Sequence, residues 1–382
     1  MRTYLRPSLV LLLVAGALLP IAPAQETVFL PDARVEALTR FHTDAAPASI
    51  FLGVDPIETT SPLPVACTDA GSESCGACCF DFNVCCIPCI YAQADALIWH
   101  RVGTGCNQVL ALNTNTGDPV LRTGDLNFNV AGGPRFLIGW QPDPCHCSRC
   151  CALELSYFGI FGWNANAVVT GPGNLAIPGD LGLASNNFLF ADIIDVRYRS
   201  QMHNLELNCI KSCCVDDCLR LDFLSGFRYI SLDEDYIISA TDFNEGTSSY
   251  NVNADNDLFG VQLGGRLRRA WCRWAIELTG KAGIFYNDEL QKQLVTDFPN
   301  DVILRSTRGS NDSAALLAEL GVVLIRPIHD NWNLRLGYNV LGLGGVALAP
   351  NQLDFTLDGG THVDKDGWFL AHGAVIGLEA GW

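Results

Sequence analysis

From about residue 91 to the end of the chain, apolar and polar side chains alternate with a period of two. The clearest case is the segment 332–340, whose apolar members are Trp332, Leu334, Leu336, Tyr338 and Val340. A strand with one apolar and one wet face has this period. Related patterns occur near 91–101, 128–141, 150–161, 190–210, 217–231, 259–267, 274–286, 313–327 and 367–382. The pattern predicts an all-β chain of about ten strands, within a range of ten to twelve.

The connections between these segments alternate in length. Short connections fall near 142–149, 211–216, 269–271 and 328–331, and long ones near 102–127, 162–189, 232–257, 287–312 and 347–366. Short turns at one end and long loops at the other are typical of an antiparallel transmembrane β-barrel, whose short turns are periplasmic. A sheet in lipid must close so that no backbone edge is left unpaired. A soluble sandwich or lipocalin-like barrel is the alternative, and the many charges on the polar face favour the membrane barrel.

The N-terminus has the features of an export signal. Arg2 and Arg6 precede an apolar stretch from Leu9 to Ile21, and the Ala22-Pro23-Ala24 sequence fits a cleavage site. We therefore expect three regions: a signal peptide over 1–24, a periplasmic linker with a cysteine-rich segment over 25–90, and an outer-membrane β-barrel over 91–382.

Composition excludes several classes of protein. A formal net charge of −17 argues against nucleic acid as a partner, because such binding needs a basic face. Beyond the N-terminus no uninterrupted apolar run reaches about 18 residues, which excludes a helical membrane bundle. Aromatic residues are plentiful and only 17% of residues are charged, so the chain is not expected to be disordered.

Sorting residues by the alternation gives a candidate inner face for the barrel. Its basic members are Arg135, Arg220, Arg228, Arg266, Arg268, Arg273, Lys281 and Arg335. Its acidic members are Glu154, Glu206, Asp222, Glu277, Glu319 and Glu379, and Gln262 and Asn339 are uncharged polar members. These charges could line a narrow channel with acidic outer loops that enrich cations. They could equally pair with one another and fill the barrel, since about eight strands leave just enough interior for side chains.

The cysteines cluster at one predicted end of the barrel. Sixteen of the 17 map to the periplasmic side, and only Cys106 lies toward a long loop. The candidates for disulfides are Cys67, Cys75, Cys78, Cys79, Cys85, Cys86, Cys89, Cys145, Cys147, Cys150, Cys151, Cys209, Cys213, Cys214, Cys218 and Cys272. Disulfides that fasten the cysteine-rich segment to the periplasmic turns are expected in an oxidising compartment. A thiolate metal cluster and cross-links to envelope partners are the alternatives.

A hydrolase with its active site at the outer rim of the barrel is one candidate function. His362, Asp364, Asp366 and His372 lie near the last long loop, where a His–Asp pair could activate water. No Gly-x-Ser-x-Gly, His-Glu-x-x-His or phosphate-binding motif occurs in the chain. The expectation is therefore a protein that is not an enzyme and that uses no cofactor.

Several short motifs follow one another along the chain, at 94–97, 153–159, 203–208, 226–229, 256–262, 337–340 and 345–350. In this order they resemble the seventh family of β-barrel porins, which is found mainly in planctomycetes. The resemblance spans roughly 91–382 and implies an outer-membrane barrel, with outer-membrane lipid as its surroundings. The cysteine-rich segments at 67–89, 145–151 and 209–218 depart from the family pattern. The terminal aromatic residue, Trp382, is similar to the signal read by the barrel assembly machinery.

Two functions follow as expectations. The first is a porin-like narrow channel for small solutes or ions. The second is a structural envelope protein whose barrel is closed by charges and whose periplasmic cysteines form cross-links, including disulfide-linked envelope partners.

Overall fold

A computed structural model describes residues 88–142, 151–216, 218–271, 273–298 and 302–382. The signal peptide expected at 1–24 and nearly all of the segment at 25–90 lie outside these ranges. Residues 143–150 and Cys272 also lie outside them. No helix in the described part of the chain is long and apolar enough to cross a membrane.

Twelve strands form one antiparallel sheet, and ten of them make a ring. The strands are β1 (Ile90–Val102), β2 (Val109–Asn113), β3 (Pro119–Arg122), β4 (Val130–Trp140), β5 (Ala152–Ala176), β6 (Ala191–Asp216), β7 (Leu219–Asp242), β8 (Gly246–Trp271), β9 (Trp274–Asp297), β10 (Val302–His329), β11 (Trp332–Val346) and β12 (Gly367–Gly381). In the ring β1 pairs with β4, then each strand pairs with its successor from β4 to β12, and β12 pairs back with β1. The expected all-β, antiparallel barrel of about ten strands is confirmed.

The pairing register shows how the ring closes. Cross-strand partners can be followed from Ala92 in β1 through Leu207 and Val261 to Trp368 in β12. Ala92 itself pairs with Ala380, twelve residues beyond Trp368. A closed barrel requires such a stagger, because it tilts the strands relative to the barrel axis.

The remaining elements lie at the outer end of the ring. β2 and β3 form a small hairpin within the β1–β4 connection, and β2 also pairs with β5. Helices α1 (Gly179–Leu183) and α2 (Asn186–Leu189) lie between β5 and β6. Short 3-10 turns occupy Thr123–Asp125 and Ala349–Gln352.

The central strands are much longer than the sequence pattern predicts. β5 to β10 contain 24 to 28 residues each, whereas about 9–11 residues suffice to cross a membrane. The segments near 232–257 and 287–312 were expected to be long connections and are mostly strand, as is the first part of the segment near 162–189. Six strands therefore continue well beyond the length of a membrane span.

The alternation continues along these strands, but its polarity inverts. On β7 the outward side chains are apolar near the periplasmic end, as at Phe223 and Phe227, and acidic further out, as at Asp233. The inward side chains change in the opposite sense, from Arg228 to the buried Leu232. We call the half of the barrel near the short turns the periplasmic half and the rest the outer half. The outward-facing surface of the barrel, its outer wall, is apolar in the periplasmic half, which suits lipid. It is polar in the outer half, which suits water.

Five aromatic residues and one histidine lie on the outer wall at the boundary between the two halves. They are Tyr157, His203, Tyr229, Phe259, Tyr286 and Tyr338. Aromatic girdles flank the apolar band of membrane barrels. At the periplasmic end, Trp140, Trp271, Trp274, Trp332 and Trp382 form a corresponding group of exposed aromatics. The two groups delimit the lipid belt.

The inversion predicts that two outward positions on β8 respond differently to the same charge. Leu263 is 70% exposed within the apolar belt, and Asn253 lies on the same face in the outer half beside Asp235. Leu263→Arg should destabilise the protein by about 2–4 kcal/mol, the cost of arginine near the middle of a bilayer. Asn253→Arg should be nearly neutral.

Urea unfolding of both variants in lipid vesicles checks this prediction. Equal losses at the two positions would mean that the lipid belt does not end at the polarity inversion.

Candidate functional site in the barrel interior

Ion pairs cross the interior of the periplasmic half. Both terminal nitrogens of Arg266 on β8 donate to the Glu154 carboxylate on β5, each at 2.9 Å. Glu154 also accepts a hydrogen bond from the Tyr91 hydroxyl at 2.7 Å. Because β5 and β8 are not neighbours in the ring, these side chains meet through the interior.

A second group links β8, β9, β11 and β12. Arg268 donates to Glu277 at 2.6 Å and to Glu379 at 3.1 Å. Arg335 donates to Glu379 at 2.6 Å and to Glu277 at 3.3 Å. Two arginines and two glutamates thus form a closed set in which each charge has two opposite partners.

A third group lies further along the axis. Arg228 on β7 is 2.7 Å from Glu319 on β10, and Lys281 on β9 is 2.9 Å from Glu206 on β6. The Gln262 amide donates to Glu206 at 2.8 Å. Removing charges from water is costly unless each finds a partner, and these contacts supply the partners.

The interior charges of the periplasmic half balance. We define the charge network as seven acids and seven bases: Asp95, Glu154, Glu206, Asp222, Glu277, Glu319, Glu379, Arg135, Arg220, Arg228, Arg266, Arg268, Lys281 and Arg335. Most of the charged residues assigned to the inner face from the sequence belong to it, and Gln262 and Asn339 are buried beside them. The network is formally neutral.

Two residues differ from the expectation. Arg273 lies in the turn between β8 and β9, where it is exposed, so it does not belong to the charge network. Asp95 on β1 was missed, although it accepts two hydrogen bonds from Arg135 at 2.7 and 2.9 Å. The alternation along β1 was the signal that could have revealed it, because Asp95 shares the inward face with Leu97 and Trp99.

An apolar core fills much of the outer half above the charge network. Trp99, Trp163, Ile230, Leu232 and Phe369 are among its fully buried members. The core surrounds Arg101, which is 2.5 Å from Glu234 and donates to the Tyr198 hydroxyl at 2.7 Å. The guanidinium also lies over the ring of Phe128. This half of the interior therefore has the packing of a soluble protein core.

The connection 347–366, which we call the inserted loop, folds into the outer half of the barrel. Near the end of β11, Gly345 has a φ of +82° and lies so close to the Ala314 carbonyl that a side chain would have no room. Leu348 and Ala349 are then fully buried. The Asn256 side chain accepts from the Ala347 N–H at 2.7 Å and donates to the Ala347 carbonyl at 2.8 Å.

Further side chains of the inner wall bind the main chain of the inserted loop. Gln293 donates to the Gln352 carbonyl at 2.6 Å, and Gln291 donates to the Gly360 carbonyl at 2.8 Å. Arg305 donates to the Asp354 carbonyl at 2.9 Å. The loop's buried backbone groups are thus satisfied by the barrel wall, as burial requires.

The first outer connection packs against the inserted loop. The Cys106 thiol lies 3.3 Å from the Pro350 carbonyl, and Gln108 donates to the Leu353 carbonyl at 3.3 Å. Burial raises the pKa of the Cys106 thiol above its ordinary value. A raised pKa lowers the fraction of the reactive thiolate form.

The expectation of a disulfide-rich protein is not supported by the described cysteines. Cys89, Cys151, Cys209 and Cys213 carry free thiols, as does Cys106. Since Leu153 pairs with Cys209, Cys151 lies diagonally from Cys209. The two thiols are close enough to interact, and neither forms a disulfide in this structure. Cys214 and Cys218 are not free, and the other candidates lie outside the described residues.

The residues considered for a rim hydrolase are divided between two places. His372 lies on the outer face of β12 beside Tyr338. Asp364 and Asp366 lie in the inserted loop, where the Asp366 N–H donates to the Asp364 carboxylate at 3.0 Å. No group of three or more His, Cys, Asp or Glu side chains among the described residues is arranged to hold a metal ion.

The C-terminal Trp382 completes the seam of the barrel. Its main chain exchanges two hydrogen bonds with Ile90, at 2.8 and 3.1 Å, and its ring packs edge-on against Trp332. This contact joins the last residue to the first strand. The role of Trp382 as an assembly signal stays a prediction.

A family profile decides the classification. The profile described as "Putative beta barrel porin-7 (BBP7)" matches residues 91–365, which is more than half of the chain. The chain belongs to the BBP7 family. This membership confirms the resemblance inferred from the short motifs, and it places the barrel in the bacterial outer membrane.

Solved outer-membrane proteins are similar to this BBP7 member in structure. The outer membrane protease OmpT from Escherichia coli has 13% identity and a TM-score of 0.41, with 77% of this chain and 96% of that chain covered. A major outer membrane protein from Thermus thermophilus has 10% identity and a TM-score of 0.30, with 76% and 98% covered. The toluene transporter TodX from P. putida has 9% identity and a TM-score of 0.28, with 80% and 96% covered. No match was found among the curated proteins.

The pairing in the charge network predicts a strong effect of breaking one pair. Glu154→Gln leaves Arg266 buried with one fewer opposite charge, and it should destabilise the barrel by about 3–5 kcal/mol. Adding Arg266→Met should recover much of this loss, because the unpaired charge is then removed. Urea unfolding of the two single variants and the double variant measures the coupling. Additive losses would contradict the assigned pairing.

The inserted loop predicts a response to acid at Asp354. Partial burial raises the pKa of this carboxyl, but hydrogen bonds from Thr356 and Gly360, with the Arg305 charge, lower it below its ordinary value overall. A lowered pKa in the folded state stabilises the protein above the unfolded pKa, and that contribution is lost as pH falls through the folded pKa. Asp354→Asn should therefore lower the Tm at pH 6, and its deficit relative to wild type should shrink below about pH 4.

Thermal unfolding between pH 2 and pH 7 measures this deficit. Asp358→Asn, at an exposed position of the same loop, is the matched control and should show no such trend. A deficit of Asp354→Asn that is constant with pH would contradict the role of the carboxylate.

Proposed function

We propose that this protein is a sealed, non-conducting barrel that serves as a structural component of the outer membrane. The observation that carries the proposal is the inserted loop, whose main chain is bound by Asn256, Gln291, Gln293 and Arg305 inside the outer half. A mobile external loop would not need so many wall side chains aimed at its backbone. The loop is thus built into the barrel as a permanent plug.

The rest of the interior supports a seal at two further levels. The charge network joins non-neighbouring strands across the axis of the periplasmic half, as in the Arg228–Glu319 and Arg266–Glu154 pairs. The apolar core occupies the space between the network and the inserted loop. Barrels of about eight strands are already filled by side chains, whereas open porins need about 16, so a ring of ten is narrow enough to fill.

The outer half supports a structural role rather than transport. Strands of 24 to 28 residues continue beyond the lipid belt, and their outer wall carries acidic residues such as Asp233, Asp255 and Asp288. This shape suits a rigid body that stands above the membrane surface. Its proposed partners are envelope molecules that form disulfide cross-links with the cysteine-rich segments. The barrel assembly machinery, which is expected to read Trp382, is a further proposed partner.

A narrow ion channel is the competing function, and it is favoured by the family's description as a porin. Such a channel needs a continuous wet path past the charge network, the apolar core and the inserted loop. The acidic outer wall would then predict a preference for cations.

Planar-bilayer recording of the purified, folded protein separates these functions. The sealed barrel predicts no discrete conductance steps, with or without reductant. An open porin reconstituted by the same procedure shows that insertion works, and heat-modifiable migration on gels shows that the sample is folded. Reproducible steps from folded protein would overturn the proposal and support the channel.

A further inference from the structure

Two histidines face each other across the seam where the ring closes. His100 on β1 pairs directly with His372 on β12, and their ring centroids are 5.8 Å apart. Directly opposed residues of an antiparallel pair point to the same face, with their Cβ atoms about 4.5–5.5 Å apart. Both imidazoles can therefore reach one small ligand placed between them.

The pair lies on the outer wall, close to the outer end of its strands. His100 is two residues from the end of β1 at Val102, and both rings are partly accessible. On the neighbouring strand, Tyr338 belongs to the aromatic boundary of the lipid belt. The site is thus at the water-facing edge of the belt, where a hydrated cation can approach.

A third residue orients one of the two rings. The Tyr338 hydroxyl lies 2.5 Å from Nδ1 of His372, which leaves Nε2 of that ring as the position for a ligand. Metal-binding histidines usually have their other ring nitrogen fixed in this way by a neighbouring polar group. The continuous β1–β12 pairing holds the whole arrangement rigid.

We propose that His100 and His372 form a binding site for a divalent transition-metal ion such as Cu²⁺ or Zn²⁺. Neutral imidazole nitrogens suit these ions, whereas Mg²⁺ and Ca²⁺ need oxygen ligands. Two protein donors leave the other coordination positions to water, so the ion is exchangeable. The net charge of −17 raises the local concentration of cations at the surface.

The chain contains a matched control for this site. The Tyr157 hydroxyl lies 2.9 Å from Nδ1 of His203 on the outer wall, which repeats the Tyr338–His372 contact. The other ring beside His203 is Phe161, not a second histidine. His203→Ala therefore removes an equivalent boundary histidine without removing a pair.

The test is a Cu²⁺ titration of the folded, untagged full-length protein after its thiols have been blocked with N-ethylmaleimide. Electron paramagnetic resonance counts the nitrogen ligands, and competition with a chelator gives the affinity. His100→Ala and His372→Ala should each weaken binding at this site by at least about tenfold, and Tyr338→Phe by about tenfold. His203→Ala should leave the affinity within about twofold.

Two results would overturn the proposal. One is a two-nitrogen signal that persists unchanged in both His100→Ala and His372→Ala. The other is an equal loss of affinity in His203→Ala, which would mean that boundary histidines bind copper singly. Unfolding curves of each variant show whether an effect comes from a changed site or from a changed fold.

Discussion

The narrow interior of a closed ten-stranded ring is the constraint on which the rest of the structure depends. Once the stagger of twelve residues closes the sheet, inward side chains from opposite walls meet at the axis. A charge there cannot keep a full hydration shell, so it needs an opposite charge on another strand. Arg266 with Glu154 and Arg228 with Glu319 meet this need across non-neighbouring strands. The same pairs that make the charges tolerable also fill the base of the barrel.

The long central strands experience two different surroundings, and the inverted alternation follows from that. In the periplasmic half lipid covers the outer wall, so apolar residues face outward and polar residues face inward. In the outer half water covers the outer wall, so Leu232 and Tyr236 turn inward and Asp233 faces out. The inward polar residues that remain there, such as Asn256 and Gln293, bind the inserted loop. The outer half is therefore organised as a water-soluble barrel that continues a membrane barrel.

Local patterns in the sequence predict the ring of strands and most of the charge network. Ten alternating segments correspond to the ten ring strands, and residues such as Arg268, Glu277 and Arg335 are buried where the alternation places them. The extent of the strands was missed, because the inverted segments near 232–257 and 287–312 look like polar loops when one polarity is assumed. Arg273 was misplaced because a position next to a turn no longer follows the alternation. The insertion of residues 347–366 depends on contacts with distant residues such as Asn256, and no local pattern encodes such contacts.

Amide hydrogen exchange can show whether the inserted loop is a fixed part of the barrel interior. The N–H groups of Ala347 and Ala349 donate to Asn256 and Glu234 at 2.7 and 2.8 Å inside the barrel. These amides are expected to exchange as slowly as those of β8 and β9, whereas the amide of the exposed Asp358 in the same loop is expected to exchange fast. Fast exchange at Ala347 and Ala349, in protein whose strands remain protected, would contradict a fixed plug.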